Sequence, residues 1–424
     1  MAFTRRDFVK GGVAAFTWGF AAPAFLSDVA HAQGAASRNL VVLYLGGGND
    51  SLNTVVPYAD AFYYSRRPTI AIPPGVVLQI GTDGAGRALG LHPQLPGLRS
   101  IFNQGRMAVI QRTGYPNLSR SHFLGTDIWS TASMSAPQGP GWLGRYLDTL
   151  PLPVDPLVGW NTNRELPRTM ISRTVSVPSI PSPTQYAFSS PNSGTPDQGF
   201  ARTSATRISS HVPVDRPHLA FVNASAQGAF ATMDRVAQVA QYAPTATYPN
   251  TGLGNALRAV AGAIVRGIGT KVFWVQTGGY DTHAQQGTGA SATGAYQSLM
   301  ATIDGAITAF YTDMQNQGLI GQTTLLTFSE FGRRVGENGT QGTDHGEGGV
   351  MFAIGGGVRG GIYGTAPDLN PFVGNPTLSS DRGDVRWDID FRRVYAEILD
   401  KWLGSNSVAV LGGDYRNPAL NFIV

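Results

Sequence analysis

Carboxylate and imidazole side chains arrive together in a few short stretches of a chain that is poor in charge. Asp50 follows the run LYLGGGN, Asp281 and His283 lie in TGGYDTH, and Glu330, Asp344 and His345 share TTLLTFSEFGRRVGENGTQGTDHG at 323–346. Divalent cations are held by carboxylates and imidazoles that converge from several elements. Two such cations a few ångströms apart can hold the attacking and leaving oxygens of a phosphoryl or sulfuryl group. The set Asp50, Asp281, His283, Glu330, Asp344 and His345 therefore predicts a metal or anion site. A further stretch, TGYPNLSRSHF at 113–123, adds Ser119, Arg120, Ser121 and His122. A serine at the head of a helix sits among unpaired N–H groups that favour negative charge, which suits a nucleophile and equally suits an N-cap. Arg120 could clamp an anion, and His122 could serve as acid, base or core residue. Each residue alone has a plainer role: Asp50 as a turn or cap residue, and any single histidine as part of the core.

The elements that must position these residues are legible from periodicity. Near-continuous apolar character at 39–45 reads as a central parallel strand covered on both faces, ending in three glycines that let the chain turn. Neither a dinucleotide fingerprint nor a P-loop follows it. Further strands are expected at 107–111, 271–276, 324–328 and 350–354, and helices at 92–104, 219–240, 253–268, 296–317 and 390–403, the last with Phe391, Val394, Tyr395, Ile398, Leu399 and Trp402 as core. This order fits a right-handed parallel crossover series with its polar loops at the carboxyl edge of the sheet. Gly332, Gly336, Gly339 and Gly342 are expected to relieve φ in the last of those loops.

At 424 residues with 42% apolar content, the chain has ample material for a core, while 14% charged residues, 54 glycines and 27 prolines predict many loops. A net charge of +4 without a basic block argues against nucleic acid as a partner. Cysteine is absent, so no disulfide supports the fold. The segment 1–32 reads as a twin-arginine signal: TRRDFVK, an Ala/Gly-rich stretch at 11–26, and the cleavage pattern Ala30-His31-Ala32. That reading makes the twin-arginine export machinery a partner, gives a periplasmic or secreted protein, and leaves no stable membrane anchor after cleavage. The remainder, 33–424, is expected as one α/β domain, with the Pro/Ser-rich stretch at about 150–217 as a cap or insertion over the active face.

The runs LYLGGGNDSLNTVVPY, SRSHF, GGYDTH, SEFGRR and GTDHGEGG, with the signal, resemble a large family of exported bacterial proteins of unknown function, grouped with the alkaline phosphatase, sulfatase and cofactor-independent phosphoglycerate mutase superfamily. The resemblance implies a doubly wound, mainly parallel, alkaline-phosphatase-like sandwich with a metal site at the strand ends. On it, Asp50 matches the first metal-binding Asp, Ser121 or Ser119 the nucleophile, and Asp281 with His283 the ligands of one metal. Glu330 falls where an Asp-His pair is usual, so an imidazole is missing there. His345 resembles the last metal-binding His, or Asp344-His345 is itself the pair. The resemblance thus implies a divalent metal (Zn, Mn, Ca or Mg) and hydrolysis of a small anionic ester, with Arg120 or Arg333 neutralising its oxygens. The alternative is a non-catalytic binding or assembly protein with an envelope partner.

Overall fold

The computed structural model describes residues 38–424 except 153, 191–194, 212, 214, 290–293, 373 and 380–382. The expected export segment 1–32 lies outside the described residues.

The strand at the centre is β1 (Asn39–Leu45), with all seven residues buried. Alternation sends Val41, Leu43 and Leu45 into one core and Leu40, Val42 and Tyr44 into the other. Each fully buried aliphatic side chain contributes about 1.5–3 kcal/mol. A one-residue slip would exchange the two faces, so the register of β1 and the position of its glycine exit are fixed together.

A small antiparallel sheet follows, made of β2 (Val55–Val56), β3 (Leu78–Thr82) and β4 (Ala88–Leu91). The main sheet then collects β5 (Met107–Gly114), β6 (Gly159–Asn161), β7 (Val272–Thr277), β8 (Thr323–Phe328), β9 (Gly349–Gly355), β10 (Gly361–Tyr363) and β11 (Ile389–Asp390). Its order is β10-β5-β9-β8-β1-β7-β6, with β11 beside β5. β1 is parallel to both β7 and β8, and β6 is parallel to β7. The fold is therefore a mostly parallel α/β sheet with helices on both faces. One face packs the helices Pro96–Asn103, Pro217–Ala240, Gly252–Val265 and Ala295–Asn316. The other packs His122–Thr131, Trp142–Leu147 and Phe391–Glu397.

One expectation changes. β9 runs antiparallel to β8 and β5, so the chain returns by a long hairpin where a parallel crossover series was expected. The stretch 150–217, expected as a cap or insertion with irregular structure and short strands, lays the short β6 along the edge of β7, buries Trp160, Met170, Val177 and Ile180 in the two main cores, and contains the helix Thr195–Ser209. Its apolar residues are spent on the sheet edge.

Candidate metal centre

Because β1, β5, β7 and β8 point the same way, their carboxyl ends meet at one edge, and β9 begins there. The loop after β1 turns through Gly47 and Gly48, at φ +121° and +78°. A Cβ on Gly47 would lie 2.5 Å from the Asp281 nitrogen, so the β1 and β7 loops touch backbone to backbone. The β7 loop is tied to the β8–β9 hairpin by Thr343 N–H to Thr282 O at 3.0 Å and Gln285 N–H to Thr340 O at 2.9 Å. Within the hairpin, Arg333 and His345 bridge, which carries His345 back beside the loop that holds His283. Ser121 caps the helix His122–Thr131, placing His122 on its first turn.

Three donor atoms converge as a result. The distances are 3.0 Å from Asp281 Oδ1 to His283 Nε2, 3.0 Å from Asp281 Oδ1 to His345 Nε2, and 2.9 Å between the two Nε2 atoms. His122 Nε2 lies 3.3 Å from the other oxygen, Asp281 Oδ2. His122, Asp281 and His345 each offer an atom within 4.8 Å of the others.

The outer nitrogens decide what those inner atoms carry. His345 Nδ1 meets the Arg120 carbonyl oxygen at 2.8 Å, and a carbonyl only accepts, so Nδ1 holds the proton. His283 Nδ1 meets Asp344 Oδ1 at 3.3 Å, and His122 Nδ1 meets Glu330 Oε1 at 2.7 Å. A hydrogen bond from Asn338 and the charge of Arg334 and His283 hold the Asp344 carboxyl below its ordinary range, against the effect of burial. It too is an acceptor. With Nδ1 of each ring engaged on an outer oxygen, Nε2 is the nitrogen directed inward. Burial foremost, with the charge of Arg333, holds His345 below the usual imidazole range, against the pull of Asp281. Burial pushes Asp281 up, but hydrogen bonds from Arg333 and His345 bring it down to about 2. One carboxylate and two imidazoles facing one another are residue types that make the donor set of a cation site, and imidazoles fixed through Nδ1 by carboxylate or carbonyl are the usual outer support of such sites.

The supports are themselves fixed. Glu330 is buried and accepts from Gly47 N–H at 2.9 Å and from Ser329 Oγ at 3.1 Å. Arg333 is fully buried and donates to Asp281 Oδ1 at 2.6 Å, to the carbonyls of Gly48, Thr343 and Tyr280 at 2.6, 2.7 and 3.0 Å, and to that of Gly47. One guanidinium thus clasps all three loops. Phe331 packs beneath the imidazoles, 4.4 Å from the His345 ring and 5.0 Å from His122.

A family described as a protein of unknown function (DUF1501) matches residues 86–410, a span that holds His122, Asp281, His283 and His345. The chain belongs to the DUF1501 family. No curated protein matches it. Among solved structures, the PsFucS1 sulfatase from Pseudoalteromonas sp. is similar over 98% of this chain and 74% of its own, at 11% identity and a TM-score of 0.35, a shallow likeness.

In this DUF1501 protein several expected residues take other positions. Asp50 does not join the histidines: its Oδ2 pairs with Arg67 at 2.6 Å, both side chains fully buried, and accepts from Gln286 at 2.7 Å. Glu330 and Asp344 stand behind the donor atoms, orienting His122 and His283. Arg120 Nη2 is drawn into Glu347 at 3.2 Å and Asp384, while its Nε has no hydrogen-bond partner among the described residues, and Arg333 is committed to the clasp. Ser121 is exposed and its Oγ caps Leu124 N–H at 3.5 Å, while Ser119 Oγ accepts from Ser121 N–H at 3.2 Å. His122, expected as acid, base or core residue, supplies a third imidazole beside Glu330, where the resemblance left a gap. Gly332, Gly336, Gly339 and Gly342 all keep ordinary φ, and a Cβ on Gly342 would strike the His283 backbone, so close approach is what requires glycine there. Arg67 and Gln286, the partners of Asp50, carry no sequence signal, because nothing in their spacing distinguishes them.

Proposed function

We propose that the chain is an exported, divalent-metal-dependent hydrolase of phosphate or sulfate esters. The observation that supports it is the meeting of Asp281 Oδ1, His283 Nε2 and His345 Nε2 within 3.0 Å of one another at the carboxyl edge of the sheet. The motif resemblance to the alkaline phosphatase and sulfatase superfamily supplies the substrate class and the finer, alkaline-phosphatase-like reading of the α/β fold. A cation held by these residues, with His122 beside them, would supply a Lewis acid for a phosphoryl or sulfuryl oxygen. The chain's own part is orientation: Glu330, Asp344 and the Arg120 carbonyl aim the three imidazoles, and Arg333 holds Asp281. Ser121 is exposed and its cap bond is long, which leaves its hydroxyl free to turn; Ser119 is the alternative nucleophile.

One observation favours a second reading, a non-catalytic exported binding or assembly protein with an envelope partner. Arg333 is committed to the protein's own carbonyls and to Asp281, and Arg120 is already paired with the carboxylates of Glu347 and Asp384. The test is turnover of aryl phosphate and aryl sulfate by metal-loaded protein and by Asp281→Ala and His345→Ala. The hydrolase reading expects each variant to lose at least about 10–100-fold, the level seen when even supporting partners of a metal are removed. Activity that survives both changes puts the site elsewhere, and folded, metal-loaded protein without turnover supports the binding reading. Export is tested by fractionation: changing Arg5 and Arg6 to lysine should retain the precursor in the cytoplasm.

A further inference from the structure

We propose that a cleft beside the β8–β9 hairpin, lined by Arg66 and Arg386, is a second binding site, separate from the candidate metal centre, for a small organic anion whose phosphate-type group is carried on a ring-sized apolar frame. The cleft has a volume of about 500 Å³, within the roughly 300–1,000 Å³ of small-molecule sites. None of its lining residues belongs to the metal centre, so the proposal stands apart from the hydrolase reading.

Arg66 ends the helix Ala61–Arg66, whose last carbonyl accepts from Glu337 N–H of the hairpin at 2.9 Å, and Arg386 lies shortly before β11. Both arginines are exposed, and among the described residues neither guanidinium forms an ion pair. No carboxylate is among the described residues that line the cleft. Other arginines around this edge are matched: Arg67 by Asp50, Arg333 by Asp281, and Arg120 by Glu347 and Asp384. Arg66 and Arg386 therefore bring two positive charges to one concavity, and a bound anion offsets their repulsion. Guanidiniums take phosphate and carboxylate oxygens through paired N–H groups. A second cleft, at Asp60, Arg87 and Asp368, holds two carboxylates beside its one arginine and has no such excess.

The rest of the lining calls for more than an inorganic ion. Pro371, Phe372 and Leu378 supply apolar surface, and Phe372 stands 48% exposed. A ring attached to the anion would cover that side chain. The wall is fixed before any ligand arrives. Asn375 Nδ2 donates to the carbonyls of Asp368 and Asn370 at 2.8 and 2.7 Å, and its Oδ1 accepts from Thr377 N–H at 2.9 Å. Arg386 N–H meets Thr377 O at 2.8 Å, and Leu378 bridges Val385. Arg66 Nη2 lies 3.4 Å from where a Cβ on Gly383 would stand, so the helix end and this strap close on each other. A backbone already held in place lowers the ordering cost of binding.

Full-chain protein, stripped of metal and dialysed free of chelator, should be titrated calorimetrically with phenylphosphonate, which has no ester bond to hydrolyse, and with inorganic phosphate. The expected result is saturable binding of phenylphosphonate, with a loss of at least about tenfold in Arg66→Ala and in Arg386→Ala. Inorganic phosphate should bind at least about threefold more weakly, a difference that Phe372→Ala removes. Asp281→Ala should bind phenylphosphonate as the wild type does. Absence of saturable binding overturns the proposal, and so does equal affinity for the two anions. Loss in Asp281→Ala without loss in the arginine variants assigns the anion to the metal centre and overturns it too. Unfolding midpoints of each variant separate loss of the site from loss of the fold. Binding that follows the two arginines in a protein without ester turnover keeps this site and removes only the hydrolase reading.

Discussion

Asp50 and Arg67 form an ion pair at 2.6 Å with both side chains fully buried, and the guanidinium also donates to the Val335 and Arg334 carbonyls and to Asn53. Removing one partner of such a pair leaves an uncompensated charge in the interior, a loss of about 3–5 kcal/mol. Asp50→Asn is therefore expected to lower the denaturation midpoint markedly while leaving metal stoichiometry unchanged; loss of metal from folded Asp50→Asn protein would return Asp50 to the ligand set. A second residue sets the response to acid. His92 is buried, its Nδ1 accepts from Gln94 N–H at 3.1 Å, and burial foremost, opposed by Asp50, lowers its pKa from 6.5 to about 4. The unfolded chain takes up this proton near pH 6.5 and the folded chain only near pH 4. The contribution is full above pH 6.5 and is lost as pH falls toward 4, by roughly 3 kcal/mol in all. Urea denaturation at pH 4.5 and 7 should show this loss in the wild type and a smaller one in His92→Asn.

Among the elements, the exit of β1 has the tightest requirements. Gly47 combines φ +121° with a backbone approach to Asp281 that leaves no space for a Cβ. Gly47→Ala should cost about 1–3 kcal/mol in backbone strain and also displace Asp281, weakening metal binding. Gly267, at φ +61° with nothing near its Cβ position, is the control: Gly267→Ala should lose stability without losing metal affinity. Equal affinities in the two variants, measured by titration with the same cation, would show that the contact between the β1 and β7 loops does not position the site. The β8–β9 hairpin adds a second requirement, because only a reversed β9 brings His345 back opposite Arg333.

For the molecule as a whole, the site joins the loops after β5 and β7 and the hairpin between β8 and β9, segments far apart in the chain that meet only in the folded state. A cation bound there stabilises the native state by mass action, about 2.7 kcal/mol at a free concentration a hundred times Kd. Chelation of protein shown to be loaded should lower Tm by several degrees, and restoring the cation should reverse the drop. An unchanged Tm would mean that the donors do not act together as one site.

The amino-acid sequence by itself determined what depends on neighbours along the chain. The unbroken apolar run LVVLYL specifies a strand covered on both faces, the spacing of Phe391, Val394 and Tyr395 specifies a helix, and Asp281, His283 and His345 stand on loops because glycine and polar residues end the runs beside them. Tertiary structure alone decided which of those residues meet. Asp50 and Asp281 each meet a buried arginine, Arg67 and Arg333, yet only Asp281 is also placed against the imidazoles of His283 and His345. Glu330 stands behind His122, more than two hundred positions away, because β5 and β8 end at the same edge. Ligand and support share one set of residue types, and their difference lies in ångström-scale distances set by strand pairing and backbone contact, which no local pattern encodes.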